Sequence, residues 1–267
     1  MRVAADTEET LLATAIASLN TDQFPNKLSV WLHSCLPYDN ITILAYFQNH
    51  LPVSLMIESH QPKVHENIRQ IYLVGAYLLD PFHDLHLNTA PAGVYRLSDI
   101  APDKFRGNQY FLEYYGNTTM VDEFAFVSYP SQGVSLHVCL GRDSNSNKRF
   151  TARELANARR LSPIVNSLTS GHWRELIPEG EGSEGEFASN LISATKRAHG
   201  ISLSPRQAEV AMLILQGHSS VSIGLKLGIS FQTVKVFRKQ LYRKCEISSQ
   251  AELFNLMLPI LGSLSES

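Results

Sequence analysis

The sequence predicts two domains: an N-terminal α/β (α+β) part with an antiparallel sheet flanked by helices, then an all-α part of four helices. Three observations carry this. Up to about residue 177, helical and strand-like hydrophobic periods alternate in the order helix, strands, helix, strands, helix. The stretch "PEGEGSEGEFAS" (178–189) then breaks the pattern, with four glutamates and three glycines around one large apolar side chain, Phe187. Such a segment repels itself and has little to bury, so it reads as a flexible acidic linker. Finally, charge divides across it. From Thr195 onward nine Lys or Arg stand against four acids, a balance of +5, whereas the whole chain carries −2. The expected division is 1–177, a linker over 178–190, and 191–267, with the basic end facing a polyanion.

The bulk numbers agree. A chain of 267 residues exceeds one typical domain, and 44 % hydrophobic residues are enough for a sizeable core. Cys35, Cys139 and Cys245 are far apart, so neither a zinc spacing nor a disulfide framework is expected, and a reducing, cytoplasmic setting fits. The start, MRVAADTEET, has no apolar core of signal-peptide length, and no apolar run approaches a membrane span.

Residues 6–20 read as a helix with Asp6 as cap and Glu9 three residues on, and 27–36 as a second. "ITILAYF" (41–47) and "VSLMIE" (53–58) alternate as strands. A helix is expected from Pro62 to about Leu79, ended by Asp80-Pro81 because the residue before proline avoids the α region. Residues 81–118 give a loop and a helix through "NQYFLEYYG". "EFAFVSYP" and "VSLHVCLGR" (134–142) give two more strands, and 150–168 a long helix capped by Thr151 with Glu154.

Four helical patterns follow the linker. In "SPRQAEVAMLILQG", Ser204 is a good N-cap, Pro205 suits the first helical position, and Gln207 completes a capping box. "SSVSIGLKLG" closes on Gly228. The third helix starts from Ser230 and the fourth near Ser249, with Glu252 as its partner. Gly228-Ile229-Ser230 is the short turn of a helix-turn-helix, whose second helix sits in the major groove. On a wheel of 100° per residue, Val234, Phe237, Leu241 and Cys245 share one side of the third helix. Lys235, Lys239 and Tyr242 share the other, with Gln232, Val236, Arg238 and Arg243 around them.

Residues 201–253 resemble the DNA-binding domain of LuxR-type transcription regulators. The resemblance rests on "LSPRQAEV" (203–210), "GHSS" (217–220), "IGLKLGIS" (223–230), "TVKV" (233–236) and "YRK" (242–244). It implies a four-helix domain that binds double-stranded DNA as a homodimer on two half-sites, with Leu253, Leu256 and Met257 at the dimer contact. RNA polymerase is a further candidate partner. By this analogy and the wheel, Lys235, Val236 and Lys239 meet base edges, Thr233, Arg238 and Arg243 meet mainly phosphates, and Ser230 and Gln232 lie at the same surface. The chain departs from the family with Ser220-Val221-Ser222 where Asn-Lys-Glu is usual, and with Phe237 where His is usual.

The first 177 residues are then the input. A phosphoacceptor receiver is disfavoured, since the chain opens on a helix and its acidic pair, Asp122-Glu123, comes late. Asp80-Pro81 followed by Pro91 and Tyr95 faintly resembles the Asp-Pro … Pro-x-x-Trp run of acyl-homoserine-lactone-binding LuxR proteins. The only tryptophans, however, are Trp31 and Trp173. The reading preferred here is a PAS/GAF-like sensor of a small molecule. Tyr77, Asp80, Tyr95, Tyr110, Tyr114 and Asp122 are its candidate ligand residues, with Tyr115 and Glu123 next to them in sequence, a set suited to a cationic or amine effector. His83 and His86 read as a polar surface loop. No metal, cofactor or catalytic constellation is expected; "GVSLH" (133–137) lacks the last glycine of a nucleophile elbow. Control by a protein partner without a ligand is the alternative, and an enzyme domain tethered to DNA a more distant one.

Overall fold

The computed structural model describes residues 7–48, 50–66, 68–73, 75–113, 115–177 and 187–263. Five antiparallel strands form one sheet in the order β2-β1-β5-β4-β3: β1 Asn40–Phe47, β2 Val53–Ser59, β3 Gly93–Arg96, β4 Met120–Ser131 and β5 Val134–Asp143. Four of the five follow the expected strands. The short β3 was not expected, because its "GVYR" is too brief to show a period.

Strand alternation sorts the residues into two layers. Ile41, Ile43, Ala45 and Phe47 join Phe124, Phe126, Leu136, Val138 and Leu140 on one face. There α1 (Glu8–Ala17), α2 (Phe24–Cys35) and α7 (Ala152–His172) cover them with Leu28, Trp31, Leu32, Leu161 and Val165. Both tryptophans belong to this layer. On the other face Leu44, Tyr46, Ala125, Val127 and Cys139 meet the segment 62–87. β1 is therefore buried along its whole length.

Local signals explain most element ends. Thr151 and Glu154 form the expected capping box of α7. The cap of α1 is Thr7, whose hydroxyl accepts from Thr10 N; Asp6 lies outside the described residues. The single helix expected over 62–79 is corrected. It is broken into α3 (Pro62–His65), a π-helical turn at Ile68–Tyr72 and a 3₁₀ turn at Ala76–Leu79. Asp80 does more than terminate it. Its side chain caps α4 (Pro81–Leu87) by accepting from Phe82 N at 2.9 Å. His83 and His86 consequently sit on a buried helix and not on a surface loop, 4 % and 8 % exposed, their rings stacked at 5.9 Å. Two further short helices, α5 (Leu97–Ile100) and α6 (Gln109–Glu113), lead to β4.

Residues 178–186 of the expected linker lie outside the described residues, and from Phe187 the chain is helical. This α8 (Phe187–His199) was not expected. The four expected helices follow as α9 (Pro205–Leu215), α10 (Ser220–Leu227), α11 (Phe231–Lys244) and α12 (Gln250–Ser263). Both ends of the chain share a core. Ala76, Leu79, Phe105, Tyr110 and Tyr115 from the sheet domain lie in one buried cluster with Leu191, Val210, Leu215, Leu241, Leu253 and Met257.

Gly141, in central β5, has no room for a side chain. A Cβ there would lie 2.1 Å from Asn40 Oδ1 and 2.7 Å from Met120 Sδ. Gly141→Ala is expected to lower stability by about 1–3 kcal/mol, read as a fall in the urea midpoint at unchanged slope.

Candidate functional site

The helix-turn-helix is built from local rules. The Ser219 hydroxyl caps α10 by accepting from Ser222 N, and Gly228 ends the helix in the left-handed region at φ 63°. The Ser230 hydroxyl then caps α11, accepting from Thr233 N at 3.0 Å. Gly224 lets the turn close over α10, since a Cβ there would stand 2.8 Å from the Ile229 carbonyl oxygen. In α9 the Ser204–Gln207 capping box is present as expected.

α11 is held by Val234 and Leu241, both fully buried, with Cys245 buried at its end and Phe237 against the same core. Ser230, Gln232, Lys235, Val236, Lys239 and Arg243 are exposed, and Thr233 and Arg238 half-buried. Gln232, Lys235, Val236, Lys239 and Arg243 lie on the side that α11 turns away from Val234 and Leu241, Thr233 and Arg238 flank it, and Ser230 stands at the N-cap. Lys235 Nζ rests 4.3 Å from the Phe231 ring centroid, and the Arg238 guanidinium 5.1 Å from that of Tyr242. Lys244 instead reaches back to Gln207 Oε1 at 3.0 Å. Of the three residues proposed for a dimer contact, Leu253 and Met257 are fully buried within the chain, and Leu256 lies partly buried against the same cluster. α12 packs on α8 and α9, and on α6 and the 76–79 turn of the sheet domain.

A second site lies under the sheet's other face. A cavity of about 40 Å³ is lined by Thr42, Leu44, Tyr72, Asp80, Tyr115 and Glu123, among others. Two carboxyl groups thus converge on one buried space. None of the three ion pairs among the described residues includes either. Burial pushes Asp80 up to about 6, against hydrogen bonds from Phe82 N–H, Tyr72 and Tyr110 that favour its charged form. Burial pushes Glu123 up to about 8, and the neighbouring Asp80 charge adds to this. Tyr72 donates to Asp80 Oδ2 at 2.7 Å and shares a 2.5 Å hydrogen bond with Tyr46. Tyr115 donates to Glu123 Oε2 at 3.3 Å.

The sequence-derived ligand set divides. Asp80 lines the cavity, and Tyr110 is fully buried beside it. Tyr77 packs on the Tyr46 and His83 rings at 6.5 and 4.9 Å. Tyr95 is at β3, its hydroxyl donating to the Pro91 carbonyl. Asp122 points to the opposite face, where it accepts from Arg96 Nη2 at 2.5 Å and Phe150 N at 2.9 Å. Tyr114 lies outside the described residues. Tyr115 and Glu123, grouped with the set by sequence, line the cavity, whereas Tyr46 and Tyr72 were not in the set. Strand alternation is the signal that separates Glu123 from Asp122, since it places Glu123, Ala125 and Val127 on the face opposite Asp122, Phe124 and Phe126. Among the described residues no group of three or more metal-ligating side chains could hold an ion.

The family model for "Bacterial regulatory proteins, luxR family" matches residues 201–257, the whole helix-turn-helix and its flanking helices. An Aeromonas salmonicida protein described as an HTH-type transcriptional regulator in the exeN 3′ region is 32 % identical over 184 residues. The match spans 67 % of this chain and 93 % of that protein. The chain belongs to the LuxR family. It is thus a DNA-binding transcription regulator and not an enzyme. The sheet domain of this LuxR-family chain shares its fold with the VqsR LBD domain from Pseudomonas aeruginosa, at TM-score 0.54 and 24 % identity, covering 63 % of this chain and 98 % of that one. Escherichia coli SdiA matches 98 % of the chain at TM-score 0.34 and 14 % identity, and 93 % of SdiA is covered. No described helix is long and apolar enough to cross a membrane.

In this LuxR-family helix-turn-helix, Gly224→Ala is expected to separate α10 from the turn and destabilise the helical domain by about 1–3 kcal/mol. Hydrogen exchange over 220–244 should rise while exchange in the sheet stays as in the parent.

Proposed function

We propose that this regulator reads DNA through the exposed side of α11 and senses a small cationic or amine effector in the cavity beneath its sheet. The observation that carries the sensing half is the buried, ion-pair-free pair Asp80 and Glu123 on one cavity with Tyr72 and Tyr115 beside them. Two buried acids that are hydrogen-bonded but have no counter-charge among the described residues are costly to ionise. A cation entering among them supplies the missing partner, and aromatic rings add to its binding. An acyl lactone is less well served. The cavity has room for a few water-sized groups and is walled partly by acids, and both tryptophans lie on the far side of the sheet.

For the DNA half, Lys235, Val236 and Lys239 read base edges, while Thr233, Arg238 and Arg243 contact phosphates, with Ser230 and Gln232 beside them. The active form is a cytoplasmic homodimer on two half-sites about one helical turn apart, acting with RNA polymerase. The effector works by population shift between sensor arrangements.

Two tests follow. Lys239→Ala is expected to relax preference at one position per half-site, by about 1–3 kcal/mol, whereas Arg243→Ala weakens binding to every duplex and lowers the salt slope by about one. Titrations against specific and scrambled duplexes at fixed salt separate these, and equal behaviour of the two variants refutes the assignment. For the sensor, Asp80 and Glu123 are protonated at low pH and charged above about 6 and about 8, so cation binding strengthens as pH rises. Thermal melting with methylammonium, ethylammonium and neutral analogues should show a larger amine shift at pH 8.5 than at pH 5.5, and Glu123→Gln should remove the step near pH 8. Stabilisation by acyl lactones but not by amines would overturn the effector class.

A further inference from the structure

The DNA-binding domain does not stand apart from the sensor. The backbone of the 103–108 segment runs along the turn that leads into α10. Lys104 N donates to the Gly217 carbonyl at 3.1 Å, and Asn108 Nδ2 to the Leu215 carbonyl at 3.1 Å. From the other side Gln216 Nε2 donates to the Leu78 carbonyl at 3.1 Å and to Asp84 Oδ1 at 3.2 Å. Ser219 N donates to Asp103 Oδ1 at 3.0 Å. The approach is close enough to need a glycine. Gly217 sits at φ +92°, and a Cβ there would be 2.7 Å from Asn108 Nδ2 and 2.9 Å from Phe105 Cα. Beneath these bonds Phe105, Tyr110 and Tyr115 share a core with the helical domain.

What this contact covers matters. In a helix-turn-helix the first helix crosses the DNA backbone while the second enters the groove. The base-reading side of α11 stays exposed. The approach to α10 does not. The carboxylate of Asp103 takes the Ser219 N–H, a backbone donor of the kind that DNA phosphates accept from, and puts a negative charge where the duplex would bring its own.

We propose that the docked arrangement is an autoinhibited state, in which the 103–108 segment occupies the DNA-backbone seat of the helix-turn-helix with Asp103 in the place of a phosphate. DNA can seat only when this segment leaves. The inference rests on the family's DNA binding and on no effector, so it stands or falls independently of the cavity reading.

A reversible lock tests it. In the full chain, Asp103→Cys with Ser219→Cys replaces the contact by a bridge that oxidation closes and reductant opens. The probe is a random-sequence 30-base-pair duplex at low salt, which reports phosphate binding without knowledge of an operator. The oxidised variant is expected to bind at least about tenfold more weakly than the same sample after reduction, a difference of about 1.4 kcal/mol. The two single-cysteine variants should show no such difference. Equal binding of the bridged sample before and after reduction overturns the proposal, and where the bridge does not form the Asp103→Asn comparison below decides it. Asp103 is exposed, so Asp103→Asn leaves the fold intact. It should bind the duplex severalfold more tightly than the parent. Where the parent binds too weakly to measure, Asp103→Asn should bring binding into range, and no gain in either case also overturns the proposal.

Discussion

A carboxyl group buried with no ion-pair partner among the described residues organises the inner face of the sheet domain. Asp80 ends the 3₁₀ turn before it, caps α4 after it, and receives the Tyr72 hydroxyl. With its one proton given to Asp80, Tyr72 accepts from Tyr46 on β1. The chain Tyr46–Tyr72–Asp80 thus pins the π-helical turn and α4 to the sheet at a single point. A buried polar group costs about 1–3 kcal/mol when left unpaired, so these three side chains hold one another in place. His83, His86 and His137 crowd against the same Tyr46 ring, and burial holds their imidazoles neutral, His83 down to about 3. The inner face therefore sets neutral imidazoles and phenols beside two buried carboxyl groups, a polar lining in place of the apolar packing on the sheet's other face.

This explains which parts of the fold were legible in the sequence. Wherever one physical rule decided the outcome, the residues announced it. The Ser204–Gln207 and Thr151–Glu154 capping boxes, the Gly228 stop and the apolar side of α11 depend on neighbours within a few positions. The segment 62–118 answers to the sheet and to the helical domain together. Its helical period at 62–79 yields to the Tyr72–Asp80 bond and to the close packing of Ala76 and Leu79, so tertiary contacts override local propensity. The helix α8 was hidden because Phe187 stands at the end of an acidic, glycine-rich run whose composition argues for linker.

The ligand set divides between the two faces of the sheet for a related reason. Sequence proximity grouped Asp122 with Glu123, but adjacent strand residues face opposite ways. Asp122 turns to Arg96 and closes β3 against β4, while Glu123 turns to the cavity. On the DNA side, the helical period alone sorted the residues, and the basic face of α11 was readable without any tertiary knowledge. The asymmetry is physical. A recognition helix displays its function outward, and its period shows it. A buried site is assembled from distant elements, here β1, β4, β5 and the 68–82 segment, which no local period records.

The two sites meet at Tyr115. Its hydroxyl reaches Glu123 at the cavity, and its ring packs against Phe105, Phe111 and Tyr110 at 5.8 Å each, within the core that also holds the helical domain. Tyr115 and Met120 also line the groove beside Asp103 and Arg106 on the outside. The same ring therefore forms the cavity wall, the groove wall and part of the interdomain packing. A cavity of about 40 Å³ cannot take a larger guest unless a wall moves. If that wall is Tyr115, the packing under Phe105 loosens with it, and Phe105 lies between Asp103 and Asn108, two of the residues that hold the α10 approach. Close-packed interiors switch between arrangements rather than deform smoothly. Filling the cavity and loosening the interdomain packing then become two readings of one displacement, coupled through a side chain that belongs to both.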